Sequence, residues 1–131
     1  MVIRPENAVH GKELDQLLVR SKLVLAIYYS EEVPTQVPDL ARIDHLLSNR
    51  IFVLHEKSPW ADLFPGFEQH VANCTYEEIP DCCDFYLKNT QERQRISESA
   101  YEWFKTTYSL DQHIPYQDLS ALLDSLKAGR R

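Results

Sequence analysis

The sequence predicts an α/β domain in three layers, built on a short parallel sheet of three to four strands with extra helices at its C-terminal end. Two short apolar runs, within 23–28 and 50–55, have the length and composition of strands that are buried on both faces. A segment with the apolar period of a helix precedes each run. Strands that alternate with helices in this way are typical of βαβ units, whose strands run parallel.

The first half of the chain alternates helix and strand. A stripe of leucines marks the first helix, and a proline, whose fixed φ suits a first helical turn, precedes the second helix. The predicted order is helix 12–21, strand 23–28, helix 39–48 and strand 50–55.

The second half adds one short strand and then consecutive helices, which we expect to cover one face or edge of the sheet. Asn89, with Glu92 three residues later, has the spacing of a capping box at the start of the longest helix. The proline-containing segments 34–38 and 58–67 are predicted to be loops. The predicted order is strand 69–74, helix 77–88, helix 90–108 and helix 117–127.

Size and composition narrow the class of protein. The 131 residues, 44% of them apolar, are expected to form one domain over 1–131. The net charge of −6 gives no general attraction to phosphates, so no nucleic-acid partner is expected. No apolar run approaches the about 20 residues of a membrane span, and the first residues lack the apolar core of a signal peptide. Three cysteines, an odd number, suit a reducing compartment, and the sequence predicts a cytoplasmic protein.

The residues that bind metals or phosphates elsewhere show no familiar spacing here. The five histidines and three cysteines do not form C-x-x-C or H-E-x-x-H, so no metal is expected. The three glycines, Gly11, Gly66 and Gly129, are too far apart for a glycine-rich phosphate loop.

Several segments are similar in sequence, and in their order along the chain, to segments of one known family. Residues 13–25 read as a helix followed by an apolar strand, and the pair Tyr28-Tyr29 matches an aromatic pair that follows that strand in the family. Residues 42–53 read like the family pattern R-I-x-E-A-L-A-x-G and the strand after it, and 76–93 read like its closing helices. Over about residues 9–110, the chain resembles the C-terminal, donor-binding lobe of GT-B fold glycosyltransferases, most closely those of bacteria.

This resemblance implies a partial Rossmann-like lobe that holds a nucleoside diphosphate sugar and needs no cofactor or metal. Unpaired amides at the start of the second helix, together with Arg42, would bind the diphosphate. Tyr29, His45 and Glu56 complete the expected donor site, and no catalytic residue is assigned. Each residue has an ordinary alternative: Arg42 as a solvated cation beside a carboxylate, His45 as a partly buried helix residue, Tyr29 as core packing and Glu56 as a solvated loop charge.

Two residues depart from the family pattern. His45 stands where the family has the carboxylate that binds ribose, and Arg50 stands where it has glycine, so that a bulky side chain would crowd the site. A complete GT-B enzyme also has a second lobe, for which 131 residues leave no room. We therefore expect a truncated, glycosyltransferase-like lobe that is inactive alone and needs a complementary lobe or partner chain for transfer. The alternative is a non-catalytic interaction module that keeps the fold and self-associates as a homo-oligomer.

Overall fold

The computed structural model describes residues 9–28 and 40–108, together with 124, 125 and 128. The predicted α/β class is confirmed, because three parallel strands lie in the order β1-β2-β3 with helices packed on the sheet. The elements are α1 (Lys12–Arg20), β1 (Val24–Ala26), α2 (Leu40–Ser48), β2 (Val53–Glu56), a 3-10 turn (Ala61–Leu63), α3 (Phe67–His70), β3 (Ala72–Cys74), α4 (Ile79–Lys88) and α5 (Thr90–Thr107).

Successive side chains of a strand point to opposite faces of the sheet, and in the central strand β2 the side chains on both faces are buried. Val53 and Leu54 are 3% and 1% exposed and belong to two separate apolar clusters. The register pairs Val24 of β1 with Val53, and Leu54 with Ala72 of β3. The two clusters therefore lie on opposite faces of one sheet, which gives the three layers.

The first core lies between the sheet and helices α2, α3 and α5, and the second lies between the sheet and α4. Helix α5 reaches both cores, since Ala100 and Trp103 belong to the first and Ile96 packs against the second. The buried residues of the first core are Ala26, Ile43, Leu46, Leu47, Val53, Phe67, Val71, Ala100 and Trp103, and those of the second are Phe52, Leu54, Ala72 and Cys74.

Three predicted elements differ from the structure at their ends. The first strand is confined to Val24–Ala26, and the second begins only at Val53. The third strand is reduced to Ala72–Cys74, because the predicted loop 58–67 contains a 3-10 turn and leads directly into α3. The predicted helix 117–127 lies outside the described residues except for Asp124 and Ser125, which are helical.

The capping box predicted at the start of α5 is wrong. The side chain of Asn89 makes no hydrogen bond to the first turn of α5, and its Nδ2 instead donates to the carbonyl oxygen of Phe85 in α4 at 2.7 Å. The carboxylate of Glu92 accepts two hydrogen bonds from Arg95, at 2.6 and 2.9 Å. The N-terminus of α5 therefore has no side-chain cap.

Helix α2 ends in a Schellman motif, with Arg50 in the position that glycine usually takes. The amide of Ile51 donates to the carbonyl oxygen of Leu46 at 2.9 Å, and the amide of Arg50 donates to that of Leu47 at 3.1 Å. Arg50 has a φ of 56°, in the left-handed region.

Candidate functional site

The carboxyl ends of β1 and β2 meet at one edge of the sheet, where parallel α/β folds bind ligands. Glu56 is the last residue of β2, and its Oε2 accepts a hydrogen bond from the backbone amide of Tyr28 at 2.9 Å. Tyr28 follows β1 by two residues. The carboxylate therefore ties the segment that leaves β1 to the end of β2.

The loop after β2 adds polar groups and an aromatic ring to this carboxyl edge. The amide of Lys57 donates to the carbonyl oxygen of Cys74 at 2.8 Å, which joins the loop to the end of β3. The buried Ser58 accepts a hydrogen bond from the amide of Trp60 at 3.0 Å. The Trp60 side chain is 41% exposed, so part of its ring is open to solvent at this edge.

Two of the four predicted donor-site residues cannot be placed by their side chains. Tyr29 lies outside the described residues, and Arg42 is described only as part of the helix α2. Because α2 connects the carboxyl end of β1 to the amino end of β2, its first turn lies toward the carboxyl edge. Arg42 lies in that first turn, three residues before His45 and about 4.5 Å from it along the helix axis.

His45, one turn after Arg42 on α2, lies toward the amino ends of the strands. It is exposed, its Nδ1 is 3.7 Å from Oδ1 of Asp44, and it lines a cavity that also includes Lys22 and Phe52. Lys22 precedes β1 and Phe52 precedes β2, so this cavity lies at the amino ends of the strands. The predicted grouping of His45 with Glu56 is not found, since a helix that returns across the sheet carries its last turns away from the carboxyl edge.

The cavity at the amino ends of the strands has a volume of about 830 Å³. Helix α1, the end of α2 and the first half of α5 form its walls. Leu18 and Phe52 contribute apolar surface, whereas Asn49, Gln94 and Ser97 contribute hydrogen-bonding groups. Sequence analysis did not predict this cavity.

Arg50 lines this cavity and reaches from the end of α2 to α5. Its Nε donates to Oε2 of Glu98 at 2.8 Å, and its guanidinium carbon lies 3.6 Å from the ring centre of Tyr101. The hydrogen bond to Glu98 holds the pKa of Arg50 above its ordinary value. The side chain that was expected to crowd a donor site instead joins the end of α2 to α5.

Arg93 is the buried cation of the same cavity. It is 9% exposed, and its guanidinium donates to the carbonyl oxygen of Tyr86 and, at 3.1 Å, to Oγ1 of Thr90. One signal in the sequence pointed to it: Arg93 lies three and seven residues before Ile96 and Ala100, on the stripe of α5 that packs against the cores. A charged residue on a buried stripe needs polar partners, which makes such a residue a candidate for a site.

The three free thiols lie near one another on the second face of the sheet and are poor candidates for nucleophiles. Cys74 is 2% exposed, and Cys82 and Cys83 pack against the same cluster. Burial is the main cause that raises the pKa of the Cys74 thiol to about 12, and it also raises the pKa of Cys83. Because the thiolate is the reactive species, Cys74 is held in its unreactive form at neutral pH.

Within the described residues, no group of three or more His, Cys, Asp or Glu side chains is arranged to hold a metal ion. In the same part of the chain, no helix has both the length and the apolar character that a membrane span requires. Comparison with protein-family models, with curated proteins and with solved structures found no match to this chain.

Proposed function

We propose that this chain is a nucleotide-sugar-binding lobe of the GT-B glycosyltransferase type, which depends on a second lobe or a partner chain for sugar transfer. The observation that carries the proposal is the hydrogen bond from the amide of Tyr28 to Glu56, which joins the carboxyl ends of two parallel strands. The first turn of α2 lies toward the same edge, so a helix N-terminus and a carboxylate are available to one ligand.

In the proposed site, each feature of the carboxyl edge binds a different part of the donor. The amides of the first turn of α2, which have no acceptor within the helix, and the guanidinium of Arg42 bind the diphosphate, which carries the charge. The Glu56 oxygen that does not bind Tyr28 accepts a hydrogen bond from a hydroxyl group of the sugar. The exposed ring of Trp60 offers an apolar face to a sugar ring.

Among the described residues, this edge offers groups that bind the donor but no complete set of groups for sugar transfer. Glu56 is already engaged by the Tyr28 amide, and His45 lines the cavity at the amino ends of the strands. The proposal therefore assigns donor binding to this lobe and leaves acceptor binding to the second lobe or partner.

Calorimetric titration with UDP-glucose, GDP-mannose and UDP tests the donor site. We expect at least one of them to bind with a dissociation constant below about 1 mM, and a ligand at 100 times that constant to stabilise the fold by about 2.7 kcal/mol. Arg42→Gln should weaken binding about 10- to 150-fold, because a charged hydrogen bond to phosphate contributes about 1.5–3 kcal/mol. Glu56→Gln should weaken binding of the sugar nucleotide more than that of UDP.

Arg20→Gln is the matched control, because Arg20 is an exposed arginine in the last turn of α1, before the amino end of β1. It should bind as the wild type does. The proposal is wrong if none of these ligands binds at millimolar concentration, or if Arg20→Gln and Arg42→Gln weaken binding equally.

A non-catalytic interaction module is the second candidate, and exposed apolar residues favour it. Leu25 of β1 pairs with the buried Leu54, yet its side chain is 42% exposed, and Phe85 of α4 is 52% exposed. Light scattering on the same preparation tests this candidate. A stable dimer that dissociates on Leu25→Lys, together with no binding of the three ligands, would select the interaction module over the donor-binding lobe.

A further inference from the structure

The cavity at the amino ends of the strands has a local charge opposite to that of the whole chain. Its lining carries three cations, Lys22, Arg50 and Arg93, against the two carboxylates of Asp15 and Glu98. The chain as a whole has a net charge of −6. Because Arg50 and Glu98 neutralise each other at 2.8 Å, Lys22 and Arg93 are the cations available to a ligand.

Arg93 has more hydrogen-bonding capacity than its protein partners use. A guanidinium carries five N–H donors, and within the described part of the chain that of Arg93 makes hydrogen bonds only to Tyr86 and Thr90, both to neutral oxygens. Among residues 9–28 and 40–108 it forms no ion pair with a carboxylate. A cation that is nine-tenths buried without an opposite charge is costly, and a bound anion would offset that cost.

The start of α5 supplies a second attraction for an anion. Thr90, the first residue of this 18-residue helix, lines the cavity, and the helix has no side-chain cap. Asn89 donates backward to α4 instead of accepting from the first turn. The first amides of α5 and the positive end of its dipole are therefore available beside Arg93.

We propose that this cavity binds a small phosphorylated molecule that also carries hydroxyl groups, a ligand of the sugar-phosphate class. The phosphate binds between Arg93, Lys22 and the first turn of α5. The carboxylate of Asp15 and the amide of Gln94 bind the hydroxyl groups. The volume of about 830 Å³ lies within the range of small-molecule sites. This site is separate from the proposed donor site, because the two lie at opposite ends of the sheet.

Titration with ribose 5-phosphate, followed by calorimetry and by amide chemical shifts, tests the proposal. Saturable binding should shift the amides of 49–52 and 90–98 and leave those of 56–60 unchanged. Inorganic phosphate should shift the amides near Thr90 with lower affinity, and ribose alone should not bind. The proposal is overturned if ribose 5-phosphate does not bind saturably, if it binds no better than inorganic phosphate, or if the shifts lie at 56–60.

Two variants locate the phosphate. Arg93→Lys keeps one charge but loses the fork of donors, so affinity should fall about tenfold. Arg95→Lys is the matched control, since Arg95 lies on the same helix, is exposed and pairs with Glu92 outside the cavity. It should bind as the wild type does.

Lys22→Gln keeps the test decisive if Arg93→Lys fails to fold. Lys22 is exposed and lines the cavity, so its replacement should leave the fold intact and weaken binding about threefold at low salt. Binding of ribose 5-phosphate to Lys22→Gln with wild-type affinity would overturn the role of the cavity cations. Neither variant should alter binding of a sugar nucleotide at the carboxyl edge, so this proposal and the donor-site proposal fail separately.

Discussion

At the scale of single residues, Gly66 is the position that tolerates a side chain least. Its φ is 87°, and a Cβ atom there would lie 2.5 Å from Nε1 of Trp103, the atom that donates a hydrogen bond to Pro65 at 3.0 Å. Gly66→Ala should lower the free energy of unfolding by about 2–4 kcal/mol, through left-handed backbone strain and displacement of the indole. Urea denaturation measures the loss.

Gly11→Ala separates the two causes, because Gly11 has a φ of 56° but nothing within 4 Å of its Cβ position. We expect this variant to lose only the backbone contribution of about 1 kcal/mol. If the two variants are equally destabilised, the close approach of Trp103 contributes nothing and the packing argument at Gly66 is wrong.

At the scale of elements, the end of α2 depends on an arginine in a conformation that favours glycine. Arg50→Gly relieves about 1 kcal/mol of left-handed strain, whereas Arg50→Ala keeps that strain. Both variants lose the exposed ion pair with Glu98 and the contact with Tyr101 to the same extent. The free energy of unfolding of the glycine variant should therefore exceed that of the alanine variant by about 1 kcal/mol, and urea denaturation measures the difference.

This order is the reverse of the one found inside helices, where alanine is the more stable residue. An alanine variant as stable as the glycine variant would show that Arg50 is not strained. Salt provides a further check on the side-chain contribution, because screening of the ion pair should bring the wild type closer to Arg50→Ala.

The elements that the sequence predicted well are those with a local signal. Apolar periodicity predicted α1, α2 and α5, and the two short apolar runs predicted β1 and β2. The ends of elements were less predictable where distant contacts decide them. The start of α3 follows Gly66, which is fixed against Trp103 of α5, and Asn89 binds α4 instead of capping α5.

The candidate sites show the same limit. The carboxyl edge was predicted from strand order alone, and the Tyr28 to Glu56 hydrogen bond lies there. The cavity was not predicted, because it forms where Lys22, Phe52 and Arg93 meet, and these residues share no local pattern. His45 resembled a donor-site residue by its position in a motif, but the direction of α2 carries it to the cavity.

At the scale of the whole molecule, α5 joins the two faces of the sheet. Ala100 and Trp103 are buried in the first core, and Ile96 packs against the second. Because α5 packs against both cores, unfolding of one core should loosen this helix. The other core would then lose part of the packing that stabilises it. We therefore expect the two cores to unfold in one cooperative transition.

Two probes, one in each core, test this cooperativity. In a Trp60→Phe background, the fluorescence of Trp103 reports on the first core. With Cys82→Ser and Cys83→Ser, the reactivity of Cys74 toward a maleimide reports on the second, since this thiol is buried and its pKa is raised to about 12. Because both cores depend on α5, the two urea midpoints should coincide.

Ile96→Ala tests the coupling more directly, because it alters α5 only where the helix packs against the second core. If the cores are coupled, both midpoints should fall together, as expected for a loss of about 2–4 kcal/mol. Phe85→Ala is the matched control on α4, since that ring is 52% exposed and its removal should move neither midpoint appreciably. A Cys74 midpoint that falls alone would instead mean that α4 and the second core unfold as an independent unit, with α5 held in place by the first core.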